Sequence, residues 1–442
     1  MSLDWRQCMS AGRQGAPAED PTIARTPFQR DYDRILFSGA FRRLADKTQV
    51  FPLPYDDHVH SRLTHSLEVA SIGRSLGTLV GDRVLRREPA LAGTLDARDF
   101  GDCVAAACLA HDLGNPPFGH VGETAIREFF ARERPFLAEM TERQQRDLLA
   151  FEGNAQTYRI VTRLERPTRG MGLQLSAATL GALVKYPCSS IVADKASKVK
   201  ATRKPGLFDG DVEAFGAVAA TLGQTQLGED RWMRHPLALL TEAADDIAYL
   251  LLDLEDGLRL RHVSFELFES CLRPLCAQDP RYAGLAPALD YVERMDRADL
   301  LRAMSVNTLI HDAADAFMQA HDAILSGAFT TALEPVMQHR DALREIQSVC
   351  RARCYEARDV LKMELSGAEA IQGLLAIFVA ALREPGSLRG EHMGRLYPRL
   401  FQDAPAYERM QRLTDHVSGM TDHYAVRLYR ELRGMRYPGG RD

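Results

Sequence analysis

The residues best suited to chemistry gather in one short stretch, His111-Asp112-Leu113-Gly114-Asn115-Pro116-Pro117-Phe118-Gly119-His120-Val121-Gly122-Glu123. Adjacent His111 and Asp112 bring one imidazole nitrogen and one carboxylate to a single point. Gly114, Pro116 and Pro117 stop any helix directly behind them. His120 and Glu123 return within a few residues. Four titratable groups this close, behind the apolar run 104–110, are costly to bury unless they hold a metal or do chemistry. If a new helix has begun by then, His120 and Glu123 stand one turn apart, and the carboxylate fixes the imidazole's tautomer and raises its basicity. Such a pair can relay a proton to a leaving oxygen or orient an attacking water.

Two other places supply partners. His65 sits in Leu63-Thr64-His65-Ser66-Leu67-Glu68-Val69, a helix apolar on its inner side, with Arg62 one turn earlier on the same face. Asp245, Tyr249 and Asp253 are spaced by four and line one stripe of a helix otherwise made of Ala, Ile and Leu. Acidic groups on an inward stripe need a cation or a hydrogen-bonding ligand. A solvent-facing stripe is the plain alternative, and Ile247, Leu250, Leu251 and Leu252 leave it little room. His65, His111, Asp112 and Asp245 thus make a site of two imidazoles and two carboxylates. Imidazole ligands favour Mn, Fe, Co, Ni or Zn over an oxygen-loving ion such as Mg. On an octahedral ion the set leaves two positions for water and a substrate oxygen.

Other His-Asp pairs act as controls. His311-Asp312 and His321-Asp322 have no Gly-Pro stop and no returning His, and are expected at the surface or an interface. His58-Val59-His60 lies in a polar loop beside Asp56-Asp57 and is not expected to bind metal.

The elements that must position these groups read as helices. Residues 1–27 have the composition of a loose arm. Helical periodicity then covers 30–45, 61–81, 100–112, 123–133, 143–165, 173–184, 237–254, 300–324, 333–364, 367–382 and 403–432. The run 100–112 is apolar nearly all round and should be central. Strand signals are confined to 48–52 and 258–263, and the βαβ alternation of a doubly wound sheet is missing. The expected class is all-α with minimal β. A basic loop spans 187–211, with Lys195, Lys198, Lys200, Arg203 and Lys204; it reads equally as a solvated excursion or a cover for phosphates. A division near 278–284 separates a catalytic unit, 28–280, from a C-terminal helical region, 281–442.

The whole chain bounds these readings. Its 442 residues, 45% hydrophobic and 26% charged, describe a globular protein. A formal net charge of −5 argues against coating nucleic acid by bulk charge, yet permits a local basic pocket for an anion. Residues 1–14 are polar, unlike a secretory leader, and the longest apolar run, 371–382, is too short to span a bilayer. Eight scattered cysteines without a CxxC pair suit reduced, buried thiols in the cytoplasm.

The order and context of the four ligands resemble the HD-domain metal-dependent phosphohydrolases, and more closely their dNTP triphosphohydrolase (dGTPase-like) branch. The resemblance rests on Thr64-His65-Ser66-Leu67-Glu68-Val69, the 111–123 run, Leu183-Val184-Lys185-Tyr186-Pro187, residues 242–256, and Ser418-Gly419-Met420-Thr421-Asp422-His423-Tyr424-Ala425. It implies an HD helical bundle completed by the C-terminal region, and hydrolysis of a dNTP to deoxynucleoside and inorganic triphosphate. His120 and Glu123 match the family's His and acidic residue beside the metal. Arg62 first, then Lys185, with Lys204 a weaker third, are the cations for triphosphate. Gln49, Tyr249 and Asp253 match the sugar pocket, a Tyr ring under the deoxyribose and a Gln and Asp on the 3′-hydroxyl, which would crowd out a 2′-hydroxyl. Asn115 would lie near the metal and phosphates, and Tyr355 flanks the base or fills a helix core. Relatives are homo-oligomers, often with dNTP effectors between subunits; Arg340, Arg344, Arg351 and Arg353 could serve such an interface or form a solvated helix face. Two rival readings remain: an HD phosphohydrolase of monophosphates or cyclic nucleotides, and a non-catalytic regulator binding nucleotides or single-stranded nucleic acid.

Overall fold

The computed structural model describes residues 2–13, 25–51, 58–133, 137–165, 172–279, 281–289 and 292–435. Helix makes up 68% of it and strand 3%, so the protein is all-α as its periodicity indicates. In chain order the helices are α1 (Trp5–Cys8), α2 (Pro27–Leu36), α3 (Gly39–Arg43), α4 (Arg62–Arg87), α5 (Ala97–Ala110), α6 (Gly119–Arg132), α7 (Glu142–Leu149), α8 (Gly153–Arg159), α9 (Ala177–Leu183) and α10 (Val212–Thr221). There follow α11 (Pro236–Arg259), α12 (Phe265–Cys276), α13 (Tyr282–Leu289), α14 (Arg294–Gln319), α15 (His321–Leu325), α16 (Arg340–Cys350), α17 (Arg358–Arg383), α18 (Leu388–Leu396), α19 (Ala406–Ser418) and α20 (Asp422–Leu432).

The frame is set by α4 against α5. Every residue of α5 from Cys103 to Ala110 is buried, as its uninterrupted apolar sequence there requires. Gly73, Gly77 and Gly81 recur every fourth residue on the facing side of α4, and a Cβ at Gly77 would sit 2.8 Å from the Phe100 carbonyl oxygen. The glycines let two backbones meet where side chains would hold them apart. α11, more than 120 residues further along the chain, packs against both helices.

Two apolar cores result among the described residues. The larger includes α4, α5 and α11 and continues past residue 280 through α14 and α16 to Val360. The smaller joins α6 and α7 to α17–α20. The C-terminal region therefore braces the helix that carries His120 and Glu123. Among the described residues, α17 is the one helix long and apolar enough to cross a membrane, and 56% of its apolar window is buried inside the protein.

Several local expectations are corrected. The N-terminal arm is not loose over residues 2–13: Trp5 is buried against Phe100, with ring centroids 5.1 Å apart; residues 14–24 lie outside the described ones. His321 is buried rather than superficial, because the Trp5 indole N–H donates to its Nε2 at 3.2 Å. Asp312 is likewise buried and accepts the backbone N–H groups of Gln338 and His339. His60 leaves the polar loop to sit between Asp256 and Glu68, at 2.7 and 3.1 Å. The strand expected at 258–263 is the end of α11 and its turn: Arg261 takes φ 64°, and His262 and Val263 both donate to Gly257 O. At 48–52 only an isolated bridge, Thr48 to Ser61, forms within the described residues. The strand pair that does occur is Gln226–Gly228 with Arg231–Trp232.

Helix 333–364 is also interrupted. α16 runs into a π turn at Arg351–Tyr355, and α17 starts afresh at Arg358. Such turns interrupt the regular ladder and re-aim side chains. Here the turn carries Tyr355 to α11.

Candidate active site

His111 caps the end of α5, and its Nδ1 donates to Cys108 O at 2.6 Å. That bond fixes the tautomer and leaves the Nε2 lone pair facing outward. The same Nε2 lies 3.4 Å from Asp245 Oδ1 on α11 and 3.4 Å from Asp112 Oδ1. His65, from α4, brings its Nε2 to 3.3 Å from the same Asp245 oxygen. The ligand atoms of His65, His111 and Asp245 all lie within 4.8 Å of one another. Asp112 completes the group beside them, although its Oδ2 is also held by Arg62 Nη1 at 2.5 Å and its Oδ1 by Asn115 Nδ2 at 2.6 Å.

Electrostatics match a cation site. Burial opposes charge throughout, yet Asp112 and Asp245 hold the His111 imidazolium up to about 9. Burial would raise Asp112, but His111 and Arg62 hold it at about 2. Asp245 is driven well below the ordinary carboxylate range against its burial, chiefly by His111 and then His65. Two imidazoles and two ionised carboxylates that already attract positive charge fit a divalent metal of the borderline class.

His111, Asp112 and Asp245 form the floor of a cleft of about 400 Å³, with buried His65 behind them. Arg62, Lys185 and Lys204 line it. Arg62 is the first residue of α4, behind the Ser61 cap. A Cβ at Gly119, which sits at φ 56°, would displace the Arg62 guanidinium. Lys185 Nζ stands 3.5 Å from Asp245 Oδ2 and 3.6 Å from Glu242 Oε1. Lys204 is held by Glu152 at 2.8 Å. The basic loop thus turns Lys200 and Lys204 inward, toward Glu242 and Glu152, while Lys195, Lys198 and Arg203 stay exposed.

His120 is exposed to the cleft, and its Nδ1 is 2.9 Å from Glu123 Oε2. Glu123 is buried and accepts Gly153 N–H at 2.7 Å. Burial opposes its charge, but His120, Lys204 and that N–H lower its carboxyl below the usual range. On the other wall the Tyr249 and Tyr355 rings stack 5.8 Å apart at 24°. Asp253 does not line the cleft: it is buried behind the rings, where Tyr355 Oη donates to it at 2.7 Å. Gln49 lines the cleft, with its Oε1 buried and unpartnered among the described residues. Arg340, Arg344, Arg351 and Arg353 lie elsewhere, on an exposed face.

Sequence reasoning missed Lys47, Glu152, Glu242 and Asp422. Lys47 is fully buried and donates to Asn115 O and Ser418 O at 2.5 and 2.8 Å. Nothing around it in sequence marks it as buried. Asp422 did carry a signal, in the Ser418–Ala425 stretch, but no role.

An HD domain matches residues 62–170, and a phosphohydrolase-associated domain matches 331–431. The first contains α4 to α8; the second contains α16 to α19 and nearly all of α20. A deoxyguanosinetriphosphate triphosphohydrolase-like protein of Synechocystis sp. is 38% identical over 98% of this chain and 100% of the relative. One from Pseudomonas aeruginosa is 38% identical over 99% and 100%. The deoxyguanosinetriphosphate triphosphohydrolase of Yersinia pseudotuberculosis is 31% identical over 97% and 99%. The chain belongs to this family of deoxyguanosinetriphosphate triphosphohydrolase-like HD-domain proteins.

Proposed function

We propose that the protein hydrolyses deoxynucleoside triphosphates to deoxynucleoside and inorganic triphosphate, using a divalent metal held by His65, His111, Asp112 and Asp245. The observation that carries this reading is the meeting of two imidazole Nε2 atoms at one Asp245 oxygen, at the foot of a cleft with cations on one wall and stacked tyrosines on the other. Mn, Mg, Fe, Co and Ni are the candidate ions. When bound, the metal would acidify a water and polarise a phosphoryl oxygen.

The chain's own residues do the rest. Arg62, Lys185 and Lys204 bind and orient the triphosphate. Asn115 holds Asp112 in place, and Asp112 in turn holds Arg62. Water oxygen bonds to the α-phosphorus, the bond to O5′ breaks, and O5′ takes a proton. Glu123 accepts the Nδ1–H of His120, and the ring, entering the step with a proton on both nitrogens, gives its Nε2 proton to O5′. Tyr249 underlies the deoxyribose. Gln49 offers its unpartnered oxygen to the 3′-hydroxyl, and Asp253 acts by fixing Tyr355 behind Tyr249.

Assembly as a homo-oligomer with dNTP effectors between subunits goes with this reading. So does the cytoplasm, supported by eight free, buried cysteines. The two matched domains support treating 28–280 as the catalytic unit and 281–442 as the region that completes the pocket. The test is incubation with each dNTP, singly and mixed, plus Mn²⁺ or Mg²⁺. Triphosphate should appear; pyrophosphate or single phosphates would reject the reaction, and turnover only in mixtures would reveal an effector site.

A further inference from the structure

The Ser418–Ala425 stretch has no part in the mechanism above, yet its residues reach both flanks of the cleft. Asp422, at the start of α20, is buried and carries no charged partner at bonding distance among the described residues. Its Oδ2 accepts the backbone N–H of Thr48, the residue before Gln49, at 2.9 Å. Its Oδ1 accepts the backbone N–H of Phe118, two residues before His120, also at 2.9 Å. The two loops are 70 positions apart and meet at one carboxylate from the far end of the chain.

Phe118 is the residue that most needs holding. It sits at φ 61°, a conformation a bulky side chain keeps only when its surroundings enforce it. Two contacts do so here, both from the C-terminal region. One is the bond to Asp422. The other is Gly367 on α17, where a Cβ would collide with the Phe118 ring. This left-handed residue lets α6 begin at Gly119, which aims His120 at the cleft and leaves room for Arg62.

The Thr48 side is tied down in the same way. Lys47 Nζ bridges Ser418 O to Asn115 O, and Lys47 O accepts the N–H of Arg62 at 3.0 Å. One short turn of the C-terminal region therefore holds the backbone of Thr48 and Phe118 directly and that of Asn115 through Lys47, the first two being close neighbours of Gln49 and His120.

We propose that Asp422 is a positioning residue of this active site, one carboxylate that sets the sugar-side loop and the proton-relay helix in register. The proposal rests on the dNTP reading of the cleft, but its geometry can be tested apart from it. A residue that only stabilised the fold would lower Tm and leave turnover below Tm intact. A positioning residue changes turnover in protein that is fully folded.

The experiment compares wild type, Asp422→Ala and Asp422→Asn well below their Tm. It measures triphosphate release from the four dNTPs, Mn²⁺ affinity by calorimetry, and amide exchange over residues 46–50 and 118–121. Asp422→Ala should lower kcat about 10- to 100-fold, the scale expected for a misplacement near 1 Å. Asp422→Asn keeps one acceptor and should recover part of that loss. Mn²⁺ affinity should stay within about twofold, since His65, His111 and Asp245 do not touch Asp422. Exchange should quicken at both segments in both variants. Unchanged kcat with lowered Tm, or unchanged exchange at either segment, overturns the proposal. If Asp422→Ala does not fold, Asp422→Asn decides by the same readouts. If wild type releases no triphosphate, the proposed reaction falls, while exchange and Mn²⁺ binding still decide the clamp.

Discussion

Nε2 of His65 stands 3.3 Å from Oδ1 of Asp245, 180 positions away in the chain. His111 Nε2 approaches the same oxygen at 3.4 Å. An oxygen approached by two imidazoles needs a proton or a cation between them. Asp245→Ala should therefore weaken Mn²⁺ binding by at least about 100-fold and abolish turnover. Chelation should abolish turnover of wild type and lower its Tm, with both restored by Mn²⁺. Calorimetry showing near-wild-type Mn²⁺ affinity in Asp245→Ala would place the metal elsewhere.

In the proposed reaction Glu123 acts through His120. Asp112 and Asp245 lie outside their hydrogen-bonded pair, so Glu123→Gln should leave metal affinity intact. It should lower kcat by about 10²- to 10⁴-fold, as should His120→Ala, the usual range for loss of general acid–base help. The double variant should be little worse than either single one, because the two act as a unit. Additive losses in single-turnover kinetics would separate them into independent roles.

The all-α class and the convergence of His65, His111 and Asp245 were both legible, whereas the local details around them were not. His65, His111, Asp112 and Asp245 stood out because polar groups on apolar helices need a reason. Helix presence followed from periodicity, but ends and breaks did not. The π turn at Arg351–Tyr355 answers to a long-range contact between Tyr355 and Asp253, which no local propensity encodes. Lys47 is the clearest miss, since its burial depends on carbonyls 68 and 371 positions away. His321 was misread for the same reason: its partner is Trp5, at the opposite end of the chain.

Close approach of α4 and α5 gives a fold-level test. A Cβ at Gly77 would meet backbone rather than a flexible side chain, so the helices must separate. Gly77→Ala should cost about 1–3 kcal/mol in urea unfolding. It should also weaken Mn²⁺ binding, because the same helix pair carries His65 and ends at His111. Lost stability with unchanged metal affinity would show that the ligand end moves independently of the glycine stripe.

Stacked Tyr249 and Tyr355 make a wall held from behind by Asp253. A rigid ring excludes a 2′-hydroxyl better than a mobile one. Tyr249→Ala should raise GTP turnover relative to dGTP by about tenfold or more, while lowering kcat/KM for dGTP. An unchanged ratio would move sugar selection away from this wall.

Lys47 makes stability depend on pH in a direction opposite to a salt-bridged lysine. Burial, then Arg43, lowers its ammonium from the ordinary 10.5 to about 7. Below about 7 it is charged in both folded and unfolded chains, and the burial penalty is fully present. Between about 7 and 10.5 the unfolded chain binds a proton that the folded chain does not, so stability rises with pH across that window. From about pH 7.5 to about pH 9.5 this one group should add up to roughly 3 kcal/mol to the unfolding free energy. Lys47→Met cannot titrate, so the wild-type-minus-variant difference in urea unfolding should grow in favour of wild type by that amount over the window. A pH-independent difference would mean that Lys47 stays charged inside the protein, and that Asp422 and Asp112 outweigh the cost of burying it.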